Sequence, residues 1–171
     1  MLPPCGFKQS LSLLVLLGTA ILPVPANAMP PAIAPTLIAQ ADTIATTVRR
    51  LKQSKQRWIE INLSSQRLIA REGKTPVYAI LISTGKALTP TKTGIFAIQT
   101  RNRTARMRGT DYDIADVPYT MYYDGNYAIH GAYWHHRFGT PVSHGCVNLA
   151  VDHAGWLFNW AKIGTPVVVR R

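Results

Sequence analysis

Cysteine is nearly absent. The 171 residues contain two, Cys5 and Cys146. That is too few for a disulfide framework, and no paired spacing suggests a structural metal site or a dithiol redox pair. Acidic side chains are also scarce, 8 Asp+Glu against 19 Lys+Arg, which leaves a formal net charge of +11. No apolar run reaches the roughly 20 residues that a transmembrane helix requires. The longest, Leu11 to Leu22, is interrupted by Ser12, Gly18 and Thr19. There is no internal repeat and no nucleic-acid-binding motif, so the positive charge is read as a surface property suited to anionic partners.

What is present begins with an export signal. Lys8 precedes the apolar run, Pro23 and Pro25 break it, and Ala26-Asn27-Ala28 offers small residues around a cleavage point. Residues 1–28 are therefore expected to be a cleaved signal peptide, with an uncleaved membrane anchor as the alternative. The product would be exported, to a periplasm or cell wall. Only Lys8 is lost from the charged set, so residues 29–171 carry 18 Lys+Arg against 8 Asp+Glu, a balance of +10. Anionic wall polymers or a membrane surface are the expected contacts, and nucleic acid is not.

Residues 29–55 read as a flexible linker, rich in Pro and Ala at first (Pro30, Pro31, Pro35) and then basic (Arg49, Arg50, Lys52, Lys55). Disorder is expected for most of it, with a short solvated helix as the other possibility. From residue 56 to 171 the pattern is that of one domain. Ile59, Ile61 and Leu63 alternate as in a half-buried strand, and Arg67–Ala70 pairs back as a hairpin. Val77–Ser83 looks like an interior strand, and Ile95–Gln99 is a further strand. Arg101–Asp116 reads as a polar loop. Val117–Tyr123 and Tyr127–His130 flank the turn Asp124-Gly125-Asn126. Asp152–Ala161 has Ala154, Leu157, Phe158 and Ala161 at helical spacing, Gly164 stops it, and Val167–Val169 is a last strand. The expected fold is mainly β, a mixed sandwich or barrel with one or two helices.

The chemistry centres on Ser143-His144-Gly145-Cys146-Val147-Asn148 and on His130, thirteen residues before Ser143. A buried cysteine by itself is most often an apolar filler. An unpaired cysteine in an exported chain, with a histidine placed to act as its base, instead points to a nucleophilic thiol. His144 and Gly145 suit a tight turn that shapes an oxyanion pocket with the Cys146 N–H. Ser143 would tie the turn down, and Asn148 would support the loop.

This arrangement resembles the signature of the L,D-transpeptidase catalytic domain, a family that cross-links peptidoglycan. The family pattern is a His, a gap, then Ser/Thr-His-Gly-Cys-hydrophobic-Asn/Arg. Ser83-Thr84-Gly85 and Thr91-Lys92-Thr93-Gly94-Ile95-Phe96 resemble its upstream segments, so the likeness extends over about Trp58 to Val169. It implies the same mixed-β fold and Cys146 as nucleophile with His130 as general base. It also implies stem peptides of peptidoglycan as substrate, with no metal and no cofactor. The donor would be a tetrapeptide stem that loses its terminal D-alanine, and the acceptor an amine of another stem. Gly131 follows the histidine where some members carry a hydroxyl, so a backbone carbonyl would have to orient the imidazole.

Gly131, Tyr119, Arg106 and Arg108 are candidate substrate-binding residues. The arginines are first a solvated surface and second a flap that meets stem carboxylates. Tyr119, Tyr122 and Tyr133 could line a cleft or simply pack. Three rival functions stay open. They are a zinc site built from His130, His135, His136, His144 and Cys146, a non-catalytic wall-binding module, and an L,D-carboxypeptidase that passes the same thioester to water.

Overall fold

The computed structural model describes residues 33–171. The leader expected over residues 1–28 and the first part of the expected linker lie outside the described residues. The elements in chain order are α1 (Ile33–Gln53), β1 (Arg57–Asn62), β2 (Arg67–Glu72), β3 (Thr75–Leu81), β4 (Gly94–Ala97), β5 (Thr100–Arg108), β6 (Asp113–Asp124), β7 (Tyr127–Gly131), β8 (Val147–Leu149), α2 (Val151–Trp160) and β9 (Pro166–Arg170). The strands form two mixed sheets, ordered β3-β2-β1-β9-β4 and β5-β6-β7-β8.

The alternation read from Ile59 and Ile61 is the reason for the sandwich. Both are fully buried, as are Leu68 and Ala70 opposite them on β2. Their apolar face meets Met121, Tyr123, Ile129, Val147 and Leu149 of the second sheet in one cluster. Helix α2 seals that cluster with Ala154, Leu157 and Phe158.

Three readings of the sequence change. Most of the expected linker is helical over Ile33–Gln53. Ile44, Val48 and Leu51 stand at i, i+4 and i+7 and pack with Trp58 and Val168, while Arg49, Arg50 and Lys52 stay in solvent. The burial of that stripe, rather than helix propensity, holds α1 in place. Val77–Ser83 is not interior, because β3 is an edge strand with Val77 and Leu81 exposed. Arg101–Asp116 is not a loop. Its arginines lie on β5, the outer strand of the second sheet, where both faces meet solvent and no apolar alternation is required. The strand at Val167–Val169 sits inside its sheet, parallel to β1 and antiparallel to β4, and all three valines are buried.

One buried charge crosses the first sheet. The Glu60 side chain is 1 % exposed and is held by Arg71 at 2.6 Å and Arg170 at 2.7 Å. Burial alone would raise its carboxyl; the Arg170 and Arg71 guanidiniums outweigh that and leave it below the ordinary value. Glu60→Ala would leave two guanidiniums without their anion and is expected to cost roughly 3 kcal/mol. Urea denaturation of the two forms measures it, and equal midpoints would refute the assignment.

Candidate active site

Strand pairing brings the base and the thiol together. Strands β7 and β8 are parallel neighbours, with Ile129 beside Val147 and His130 beside Asn148. Side chains on a strand alternate, so Cys146, two residues before Asn148, falls on the same face as His130, on the adjacent strand path. Cys146 leads into β8 and is the free cysteine among the described residues.

The motif loop is anchored from behind by the segment that follows β3. Ser83 and Asn148 exchange backbone hydrogen bonds at 2.9 and 2.8 Å, and Val142 and Ser143 both donate to the Thr84 carbonyl. Thr91 hydroxyl donates to the Gly145 carbonyl at 2.8 Å and accepts from Gly85 N–H at 2.9 Å. Those contacts give a physical role to Ser83-Thr84-Gly85 and Thr91. They clamp the loop without touching the chemistry.

Within the loop, Ser143 hydroxyl donates to the Cys146 carbonyl at 2.5 Å and accepts from Gly145 N–H at 3.1 Å. Gly145 has φ +116°, and a Cβ there would stand 2.8 Å from the Tyr127 ring, so both backbone and space require glycine. Its N–H is committed to Ser143; its part in the turn is conformational. His144 lies at the rim of the site, its Nε2 2.9 Å from Asp111 and 3.2 Å from Lys86 Nζ, with the Tyr112 ring tilted over it at 4.8 Å. The side chain therefore fastens the tip of the β5–β6 hairpin to the loop. Asn148 is buried with its amide 2.9 Å from His135 Nε2.

A small cavity of about 140 Å³ joins these groups. Its lining includes His130, Cys146, Ser143, His144 and Asn148, with Met107, Tyr112 and Ile114 from the hairpin and Trp134, His135 and Val142 from the crossover. A larger groove of about 820 Å³ lies under α1, between Leu37, Ile44, Val48 and Arg170, and holds no nucleophile or base.

His130 is 2 % exposed. Its Nδ1 lies 3.0 Å from the Gly131 carbonyl, an atom that can only accept, so Nδ1 carries the proton and Nε2 is left with a lone pair. The carbonyl of Gly131 thus supplies the orienting contact. Burial lowers the imidazole to about 4, with a smaller push from His135, against the opposing Gly131 bond. Cys146 is half-buried, with its thiol directed at the Asn126 carbonyl at 3.6 Å. Burial pushes the thiol above its ordinary value, partly offset by a backbone hydrogen bond from Ala128. Both shifts favour uncharged partners at neutral pH.

The expected substrate-binding residues are elsewhere. Arg106 holds Asp113 with two bonds of 2.7 Å, and Arg108 holds the same carboxylate at 3.3 Å. Those guanidiniums, Arg106 first, bring the Asp113 carboxyl down to about 2 against an opposing desolvation. They brace the hairpin beside its turn rather than face the cavity. Tyr119 packs on Phe158 and Gly155 of α2. Gly131 is buried between Pro118 and α2, where a Cβ would meet Pro118 at 2.9 Å. Tyr133 donates to the Ala115 carbonyl at 2.8 Å. The cavity walls Met107, Tyr112, Ile114 and Trp134 were not read from the sequence, and His135 was read there as a candidate zinc ligand. Trp134 stacks on His130 at 5.8 Å, and its place four residues past the histidine was the available signal.

The family model for the L,D-transpeptidase catalytic domain matches residues 56–169. The chain belongs to this family. L,D-transpeptidase 1 of Mycobacterium tuberculosis is 31 % identical over 100 residues, covering 51 % of this chain and 39 % of that protein. An L,D-transpeptidase of Enterococcus faecium superimposes with a TM-score of 0.64 at 28 % identity, over 68 % of this chain and 50 % of the other. The structure of LD transpeptidase LdtMt1 in complex with imipenem matches with a TM-score of 0.63 at 25 % identity, over 67 % and 58 %. The chain thus spans two fifths to three fifths of the length of these relatives. The two-sheet, mainly β architecture with two helices is that of the L,D-transpeptidase catalytic domain.

Proposed function

We propose that this L,D-transpeptidase family member is an exported peptidoglycan cross-linking enzyme that acts through Cys146, in a periplasm or cell wall. The observation that carries the proposal is the buried His130, its Nδ1 tied to the Gly131 carbonyl, in the same cavity as the thiol.

The steps follow from that pairing. Nε2 of His130 takes the thiol proton as Cys146 sulfur attacks an amide carbonyl of a tetrapeptide stem. Because burial disfavours charge on both groups, proton transfer accompanies attack rather than preceding it as a stored thiolate–imidazolium pair. The carbonyl electrons move onto oxygen at the Ser143–Cys146 turn. Collapse expels D-alanine, whose nitrogen receives the proton from His130, and leaves a thioester on Cys146. An acceptor amine then attacks the thioester, gives its proton to Nε2, and the sulfur leaves with that proton restored. Ser143 and Gly145 set the shape of the turn, His144 couples it to the hairpin, and Asn148 backs the loop.

Hydrolysis is the competing outcome, because water can replace the acceptor amine. Purified residues 29–171 with a disaccharide-tetrapeptide should yield a cross-linked dimer lacking one D-alanine, read by mass spectrometry. Tripeptide without dimer would reassign the protein as an L,D-carboxypeptidase. Neither product, with an unreactive Cys146, would favour a wall-binding module.

A further inference from the structure

Helix α1 spends only the C-terminal half of its apolar stripe on the domain. There Leu51 is buried with Trp58 and Val168, and Ile44 and Val48 pack against them. Earlier in the helix the stripe is uncovered, with Leu37 55 % exposed and Ile38 beside it 63 % exposed. The Gln40 side chain donates to the Thr93 carbonyl at 3.1 Å, which ties this half of α1 to the residue before the edge strand β4. Between helix and sheet lies the groove of about 820 Å³, walled by Leu37, Ala41, Ile44 and Val48 and lined also by Arg170 and Arg171. Ile95 of β4, 38 % exposed, stands opposite Val168 and so extends the apolar surface on this face to the sheet edge. A contiguous apolar surface left in water marks a contact site.

The charge beside it is mostly of one sign. Asp42 is the only acid on α1, against Arg49, Arg50 and Lys52. Ile38, Ala45, Arg49 and Lys52 stand at i, i+7, i+11 and i+14, with Asp42 between, so one line along the helix turns from apolar to basic. Glu60, on this face of the sheet, is already taken up by Arg71 and Arg170. A second copy of the chain would set +10 against +10 across residues 29–171. A soluble polyanion would meet the basic end and leave Leu37 and Ile38 in water. A surface that is anionic outside and apolar just beneath matches both halves.

We propose that α1 and the edge of β4 form a docking face for an anionic phospholipid membrane, on which Leu37, Ile38 and Ile95 enter the acyl boundary while Arg49 and Lys52 meet headgroup phosphates. The helix lies on the bilayer and does not cross it; among the described residues no helix is long and apolar enough to do so. The face shares no residue with the cavity of Cys146 and His130, so membrane binding and thiol chemistry are scored separately.

Co-sedimentation with vesicles tests it. Purified residues 29–171 are mixed with vesicles of phosphatidylcholine alone, or of phosphatidylcholine and phosphatidylglycerol in equal parts. Binding to the mixed vesicles is expected to be at least about tenfold tighter than to phosphatidylcholine alone. Leu37→Ser with Ile38→Ser removes apolar contact without changing charge, and should weaken that binding about tenfold. Arg49→Gln with Lys52→Gln should weaken it about as much, as should about 0.5 M salt, which screens the headgroups. All four positions are in an exposed part of α1 or on its solvent side, and thermal melts equal to wild type show that the variants are folded. Equal binding to the two vesicle types, or binding to neither, overturns the proposal. Binding to mixed vesicles that the serine pair leaves intact also overturns it, because the overall positive charge then suffices. A lipid-free dimer in sedimentation velocity that the serine pair dissociates would give the face to a second copy instead.

Discussion

Cys146→Ala is expected to abolish both dimer and tripeptide formation from a disaccharide-tetrapeptide. The reasoning is chemical. The thioester is the one covalent intermediate of the proposed route, and no second thiol stands among the described residues to replace it. Loss of a nucleophile that works as a unit with its base removes orders of magnitude in rate, on the order of 10³ or more. The fold should survive, because Cys146 is half-buried and its sulfur makes only a long contact to the Asn126 carbonyl and a backbone contact with Ala128. Thermal melts that agree within about 2 °C, together with absent product, are the expected pair of results. Product from the alanine variant would move the chemistry to another group and end the thiol mechanism.

His130→Ala carries the second large effect. General-base loss is expected to lower Cys146 acylation about 10²- to 10⁴-fold. The variant should also change the acid side of the stability curve. The native imidazole sits at about 4, against about 6.5 in an unfolded chain. Between those values the unfolded state binds the extra proton. Stability linked to His130 is therefore fully present above pH 6.5 and is lost as the pH falls toward 4. Its full size is about 3 kcal/mol. Urea midpoints of the wild type should fall across that window, and those of His130→Ala should be flatter there. A wild-type curve without that slope would show that the imidazole is not buried uncharged. Near-normal acylation by His130→Ala would remove it as the base.

The sequence carried the centre of this molecule and less of its edges. Ile59, Ile61, Leu68 and Ala70 alternate because one face of their sheet is buried, and the amphipathic spacing of Ala154, Leu157 and Phe158 marks α2 for the same reason. The Cys146 and His130 pairing was legible because cysteine is rare here and the two residues sit in one recognisable frame. Strand β5 escaped notice because an outer strand with two wet faces has no apolar period to read. Helix α1 was hidden differently. Its Ile44, Val48 and Leu51 stripe is visible in retrospect, but the Pro-rich approach and basic exit dominated the composition. Gly131 and Tyr119 were assigned to substrate by their nearness in sequence to the site. Strand geometry turns both toward α2 instead. The arginines at 106 and 108 were offered to a ligand carboxylate, when Asp113, five to seven residues away, was already an acceptor.

The parallel pairing of β7 with β8 also makes the protein its own refolding gauge. A slip of one residue in that ladder would carry Cys146 and Asn148 through to the opposite face, leaving His130 with no thiol beside it. A slip of two residues would keep the face but move the thiol about 6.6 Å along the strand, away from His130. The fraction of molecules in a preparation that take one equivalent of an acylating probe therefore counts the correctly threaded chains, which circular dichroism, seeing only strand content, cannot distinguish from the slipped ones.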